Sequence, residues 1–190
     1  MSYTVKIGLS NKHLHLKEAD IEILFGKGHT LTPTKDLVQP GQFACEEKVD
    51  IVGPKATLKG IRVLGPARPE TQIELAMTDA RSIGIKAPIR ESGKLEGTPG
   101  CKLIGPAGEI ELDHGVMVAL RHIHLNPEQA IEAGVKDKDV VSIKLDGERG
   151  LVFDNVLVRS GIKHEKEIHL DTDEGNAAGC GPASEAIIIK

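Results

Sequence analysis

The chain has 190 residues, enough for a sizeable core in one large domain or two small intimate ones. Its charge is mildly acidic, with 24 basic against 28 acidic side chains, and it has no tryptophan and one tyrosine, which argues against a nucleic-acid surface or a base-stacking platform. No apolar run is long enough to cross a bilayer, no signal peptide precedes the first strand-like text, and the three cysteines are scattered without a C-x-x-C, so a reducing cytoplasm is the expected compartment.

Val5 to Ser10 reads as a strand running into Asn11-Lys12-His13-Leu14-His15-Leu16. Lys17 to Phe25 then reads as a short helix, with Ala19, Ile23 and Leu24 on one face and Gly26 as its stop. Lys48 to Val52, Thr57 to Leu64 and Gln72 to Ala76 are strand-like, with turns at Gly53-Pro54 and Gly65-Pro66. The stretch from Ile85 to Gly115 is rich in Gly and Pro and reads as a linker, an arm against a partner chain, or a substrate loop. A second histidine motif, Leu120-Arg121-His122-Ile123-His124-Leu125, leads into a well-punctuated helix. Asn126 is its N-cap, Pro127 its first residue, Gln129 completes a capping box and Gly134 ends it. Val140 to Leu145 and Leu151 to Val158 flank the turn signal Asp146-Gly147, and Glu185 to Ile189 is a last strand. Many short strands with short helices predict a mainly β fold of small barrels.

Residues 5–84 and 117–180 form an internal repeat. Each copy carries a His-x-His. Each then carries a partner segment, Gln72-Ile73-Glu74-Leu75 in the first and Glu167-Ile168-His169-Leu170 in the second. Thr78-Asp79 and Thr172-Asp173 follow these in turn. The repeat predicts two barrels, but strands can be exchanged between them, so residues 1–190 are read as one interlocked unit. Ile85 to Gly115 has no counterpart in the other copy.

In a strand, residues two apart share a face, so His13 and His15 can reach one ion, and His122 and His124 another. Two imidazoles leave a tetrahedral ion two ligands short. Glu74 or His169 fills one place and an open position remains, which is the catalytic rather than the structural zinc pattern. A single His-x-His would read as an exposed or hydrogen-bonded pair. The repetition, the third donor in each copy and the presence of five of the eight histidines in these motifs favour metal. His29, His114 and His164 read as surface or turn residues. Lys12 and Arg121 would point away from the ions on a regular strand and read as structural or surface residues. Cys180 is the one thiol near a motif and reads as a plain buried thiol. Taken alone, Arg68, Lys35 and Arg62 read as ordinary loop or surface charges.

At these segments, and at Arg68 to Gly84 and His169 to Gly179, the sequence resembles the phosphate propanoyltransferase (phosphotransacylase) family of the propanediol-utilisation type. The resemblance runs from Val5 to Ile189. It implies two interlocked β-barrels capped by short helices, and reversible transfer of a short acyl group, propanoyl or acetyl, between coenzyme A and phosphate. It implies two zinc ions per chain. His13, His15 and Glu74 match the ligands of one, whose open position takes the coenzyme A sulfur. His122, His124 and His169 match the ligands of the other, which faces water and phosphate. Arg68 matches a phosphate-side arginine, while Ser10, Lys35, Arg62, Leu64 and Asn176 match residues that line the coenzyme pocket. Acyl-CoA, phosphate and acyl phosphate are the implied partners, in a homodimer. Only a few residues precede the first strand, so a cytoplasmic enzyme outside a microcompartment shell is expected. The same donors could instead serve a binuclear zinc thioesterase or phosphoesterase, or a metal-binding module without catalysis.

Overall fold

Buried residues recur at every second position along the longer strand segments, the period that gives a strand one buried face. In the computed structural model, which describes residues 3–181 and 184–189, this produces strands joined by short turns. Met1 and Ser2, which lead into the first strand, lie outside the described residues. The first half contains β1 (Tyr3–Ser10), β2 (His13–His15), α1 (Glu18–Phe25), β3 (Pro33–Asp36), β4 (Phe43–Val52), β5 (Thr57–Gly65), β6 (Gln72–Glu74) and α2 (Met77–Ser82). Then come β7 (Ile89–Arg90), β8 (Lys102–Ile104), β9 (Glu109–Glu111), β10 (Val116–Ala119), β11 (His122–Leu125) and α3 (Pro127–Ala133). The remainder is β12 (Val140–Leu145), β13 (Leu151–Ser160), β14 (Glu167–Asp171), α4 (Thr172–Ala178) and β15 (Glu185–Ile189). The fold is mainly β with short helices, as the sequence predicts.

The chain divides into two compact units. One comprises Met1–Asn11, Val38–Pro40 and Leu120–Lys190, and the other comprises Lys12–Leu37 and Gly41–Ala119. The first unit is a closed barrel with strand order β1-β14-β11-β13-β12-β15. Strand β1 therefore joins the barrel built by the second copy of the repeat. It pairs in parallel with β14, from Ile7↔Ile168 to Ser10↔Asp171, and antiparallel with β15. Val5, Ile7, Ile123, Val158, Ile168 and Leu170 point inward to a common core.

The second unit is a curled but open nine-stranded sheet, in the order β7-β10-β6-β2-β5-β4-β8-β9 with β3 on β4. Leu14, Ile51, Val63, Ile73 and Leu103 lie in its core. Residues 85–115 are part of this sheet. β8 pairs with β4, β9 with β8, and β7 with β10, so the stretch without a counterpart is folded structure and not a linker. At the β4–β5 turn, Gly53 passes so close to the Ile83 carbonyl that a Cβ would collide with it, which accounts for glycine before Pro54.

The helix ends follow local chemistry. Asn126 and Gln129 form the full capping box at the start of α3, and Gly134 closes it in the left-handed region at φ 66°. Asp171 and Glu174 form the same box on α4. Gly26 stops α1 as its sequence predicts. The buried face of α1 differs from the predicted one: Asp20, Ile21 and Leu24 are buried, while Ile23 is 47% exposed. The reason is a tertiary partner, because the Thr71 hydroxyl donates to Asp20 Oδ2 at 2.6 Å and so satisfies an acid inside the fold.

Two candidate metal centres

Both histidine motifs occupy the same topological position. β2 lies between β5, parallel to it, and β6, antiparallel. β11 lies between β13, parallel, and β14, antiparallel. The antiparallel register sets His13 opposite Glu74 and His122 opposite His169. Side chains directly opposite in such a pair have Cβ atoms about 4.5–5.5 Å apart, so the third donor of each set arrives by strand pairing. Between the histidines, Leu14 and Ile123 are fully buried. A slip of one residue would turn the imidazoles into the core and the aliphatic chains out of it, so the core enforces the presentation of the histidines.

In the first cluster, one donor atom from each of His13, His15 and Glu74 lies within 4.8 Å of the others. His15 Nδ1 donates to the Leu64 carbonyl at 3.1 Å, which leaves its Nε2 lone pair free. His13 Nε2 stands 3.6 Å from Glu74 Oε2. Glu74 Oε1 accepts from Ser92 Oγ at 2.9 Å and from Gln72 Nε2 at 2.5 Å. Ser92 Oγ in turn accepts from Gln72 Nε2 at 2.8 Å and from Arg68 Nη1 at 3.4 Å. The Gly93 N–H fixes the Gln72 amide at 2.8 Å. Residues 85–115 thus supply the group that orients the Glu74 carboxylate.

The second cluster groups His122, His124 and His169, with the same 4.8 Å limit between donor atoms. His122 Nδ1 donates to the Leu120 carbonyl at 2.8 Å, and its Nε2 faces His124 Nε2 at 3.0 Å. His169 Nε2 donates to Glu167 Oε2 at 2.7 Å. His164 packs edge-on against His124, with ring centroids 4.5 Å apart, and donates from Nδ1 to the Arg159 carbonyl at 2.9 Å. Its backbone N–H closes a turn onto the Gly161 carbonyl at 2.9 Å, as its reading as a turn residue has it, and its ring also walls the second cluster. His29 and His114 bond to nearby acids, Glu47 for the one and Asp113 and Glu70 for the other.

Electrostatics prepare both donor sets for a cation. Burial, with Arg68 and His13 nearby, pushes His15 down to about 3, so it is neutral at pH 7. Burial and the surrounding imidazoles push His124 far down as well. Burial alone would raise Glu74, but His13, His15, Arg68 and the Ser92 hydrogen bond outweigh it and hold the carboxyl at about 2. Metal ligands must be unprotonated, and these groups already are. His124 Nδ1 is buried without a hydrogen-bond partner, and two imidazole nitrogens converge at 3.0 Å in a site that disfavours the proton. That donor chemistry fits a borderline-soft divalent cation such as zinc in each cluster.

The sequence model of the Phosphate propanoyltransferase family matches residues 6–181. The chain belongs to the phosphate propanoyltransferase family. It is 52% identical to the phosphate propanoyltransferase of Thermotoga maritima over 173 residues, covering 90% of this chain and 82% of that protein. It is 48% identical to that of Clostridioides difficile over 186 residues, covering 98% and 89%. It is 49% identical to that of Salmonella typhimurium over 176 residues, covering 92% and 83%.

The other residues singled out from the sequence fall into two groups. Arg62 and Leu64 lie on β5 beside β2, with Arg62 opposite His13 in register and donating to the Cys45 carbonyl. Lys35 is exposed on β3 of the same unit. Arg68 is also there, near enough to Glu74 and His15 to shift both. Ser10 and Asn176 belong to the other unit, with the second cluster. Ser10 is in register with Asp171, the N-cap of the helix that carries Asn176. Lys12 and Arg121 turn to acids as expected, Lys12 Nζ to Asp79 Oδ1 at 3.0 Å and Arg121 Nε to Glu174 Oε1 at 2.7 Å. Ser92, Gln39 and Glu167 are the site neighbours that sequence reading missed. Only Glu167 had a signal, its place two residues before His169.

These ionisation states set a pH response. His15 titrates at about 3 in the folded state against 6.5 for the ordinary imidazole, so the unfolded chain binds its proton first and stability falls as pH drops from 6.5 toward 3. Glu74 contributes stability above 4.5 that is lost as pH falls through about 2. Both act in one direction. The urea midpoint of chelator-treated protein is expected to decline steadily from pH 7 to pH 4, and a flat profile would contradict the buried neutral state of His15.

Proposed function

We propose that this protein catalyses reversible transfer of a short acyl group between coenzyme A and inorganic phosphate, with one zinc ion in each cluster. The observation that supports this most directly is the repeated register, His13 opposite Glu74 and His122 opposite His169, in a chain of this family. In the acyl phosphate direction, a phosphate oxygen attacks the thioester carbonyl, the carbon–sulfur bond breaks, and coenzyme A leaves as a thiolate.

His13, His15 and Glu74 hold one ion with a position left for the sulfur, and His122, His124 and His169 hold the other for phosphate. Bound there, zinc would stabilise thiolate and anionic oxygen as a Lewis acid. Glu74 is itself a donor at the first centre, so its charge offsets the ion's directly. At the second, Glu167 lies beyond the His169 ring, which leaves the cation more of its charge for an anionic reactant. Arg68, tied to Ser92, presents a planar guanidinium suited to phosphate or to the oxyanion of the addition step. Arg62, Lys35, Leu64, Ser10 and Asn176 line the coenzyme. Acetyl and propanoyl differ by one methylene, worth about 1–3 kcal/mol in a pocket, so either is an acceptable acyl group.

Purified protein should contain two divalent ions per chain and release free thiol from acetyl- or propanoyl-CoA only when phosphate is present. Release without phosphate would mean a hydrolase. No release and no metal would remove the proposal altogether.

A further inference from the structure

We propose that Glu167 is a positioning residue of the second centre: its carboxylate fixes the His169 ring, and so fixes how that ring is presented to His122 and His124. This rests on the reading that those three histidines hold a cation.

Glu167 and His169 are two apart on β14 and share a face. Strand pairing sets Glu167 opposite His124 and His169 opposite His122, so the carboxylate belongs to the same four-residue patch as the donors. Its Oε2 accepts a hydrogen bond from His169 Nε2–H at 2.7 Å. An ionised carboxylate accepts only, so this bond sets both the tautomer and the plane of the ring.

The carboxylate is itself held. Gln39 Nε2 donates to Glu167 Oε2 at 3.3 Å. The same amide clamps the Glu165 backbone, donating to its carbonyl at 3.0 Å and accepting from its N–H at 3.2 Å. Gln39 is 3% exposed and sits in Val38–Pro40, three residues that join this unit while the chain on both sides belongs to the other. On the remaining side stands Gly8, in register with His169 on β1. A Cβ at Gly8 would lie 2.5 Å from Glu167 Oε1 and 2.7 Å from its Cδ. The space the carboxylate fills exists because residue 8 has no side chain.

The first cluster has the complementary arrangement. There the corresponding pair is Gln72 and Glu74, in which an amide donor braces a carboxylate. In the second, a carboxylate acceptor braces an imidazole. The position two residues before the third donor has the same task in both copies, with donor and acceptor exchanged to suit the residue it supports. Partners of this kind typically change metal affinity by about 10–100-fold.

The test is zinc affinity, measured by competition with a chromophoric chelator on the full chain as wild type, Glu167→Gln and Gly8→Ala. The binding step of the second centre is the one that His169→Ala abolishes. We expect Glu167→Gln to weaken that step by about 10–100-fold and leave the other step unchanged. Gly8→Ala keeps the Glu167 carboxylate chemically intact but displaces it, and should weaken the same step. It also serves if Glu167→Gln does not fold. Ring nitrogen NMR of His169 in the metal-free protein should show one tautomer in wild type and a mixture in both variants. Wild-type affinity at both steps in both variants would overturn the proposal, and so would an equal weakening of the two steps, which would mark a general structural effect. A wild-type protein that binds no zinc would overturn this proposal together with the function on which it rests.

Discussion

Replacing His169 with alanine should reduce phosphate-dependent acyl transfer by about 10³-fold or more, the several kcal/mol that a catalytic cation supplies. It should also leave one divalent ion per chain in place of the two proposed for wild type. β14 delivers His169 directly opposite His122, and the other donor of that register, Glu167, is held by Gln39. Two imidazoles alone retain zinc poorly. The barrel should survive, because the His169 side chain is 26% exposed while its neighbours Ile168 and Leu170 carry the packing. Metal analysis after a chelator wash, with a melting curve as control, measures both effects. Two retained ions and full activity would show that His169 is a bystander and that the repeat has no third donor in its second copy.

Glu74→His should separate metal binding from chemistry. The variant keeps three donors at the first centre, so metal content should stay near two per chain. Transfer should nevertheless fall by on the order of 10²-fold, the usual cost of losing one group aimed at developing charge. The carboxylate now accepts from Ser92 and Gln72 and lies beside Arg68. An imidazole bound to a cation accepts from none of these, so donors are left unmet at about 1–3 kcal/mol each, and the melting temperature should drop. The site also loses its one offsetting negative charge, which makes it more attractive to hydroxide and phosphate, and these then compete with the thiolate for its open position. Phosphate-dependent and phosphate-independent thiol release, measured side by side with metal content, decide the matter. Full phosphate-dependent transfer by the variant would end the assignment of separate tasks to the two clusters, whatever becomes of the family membership.

The sequence alone determined whatever depends on short-range spacing. The two His-x-His strands, the Asn126–Gln129 capping box, the glycine stops at Gly26 and Gly134 and the Asp146-Gly147 hairpin are written in neighbouring residues, because strand period, caps and turns are local physics. The repeat added the pairing of each motif with a distant third residue, and the structure places each third residue in cross-strand register with its motif. Tertiary structure decided the rest. It put β1 in the barrel of the second copy, left the other sheet open, folded residues 85–115 into that sheet and turned α1 to bury Asp20. It also brought Ser92 to Glu74 across 18 residues and Gln39 to Glu167 across 128. A hydrogen bond between residues so far apart leaves no periodicity in the chain, since nothing in the local text of a serine or a glutamine says which buried acid it will satisfy. Those contacts exist only once the hydrophobic faces have packed and the strands have found their register.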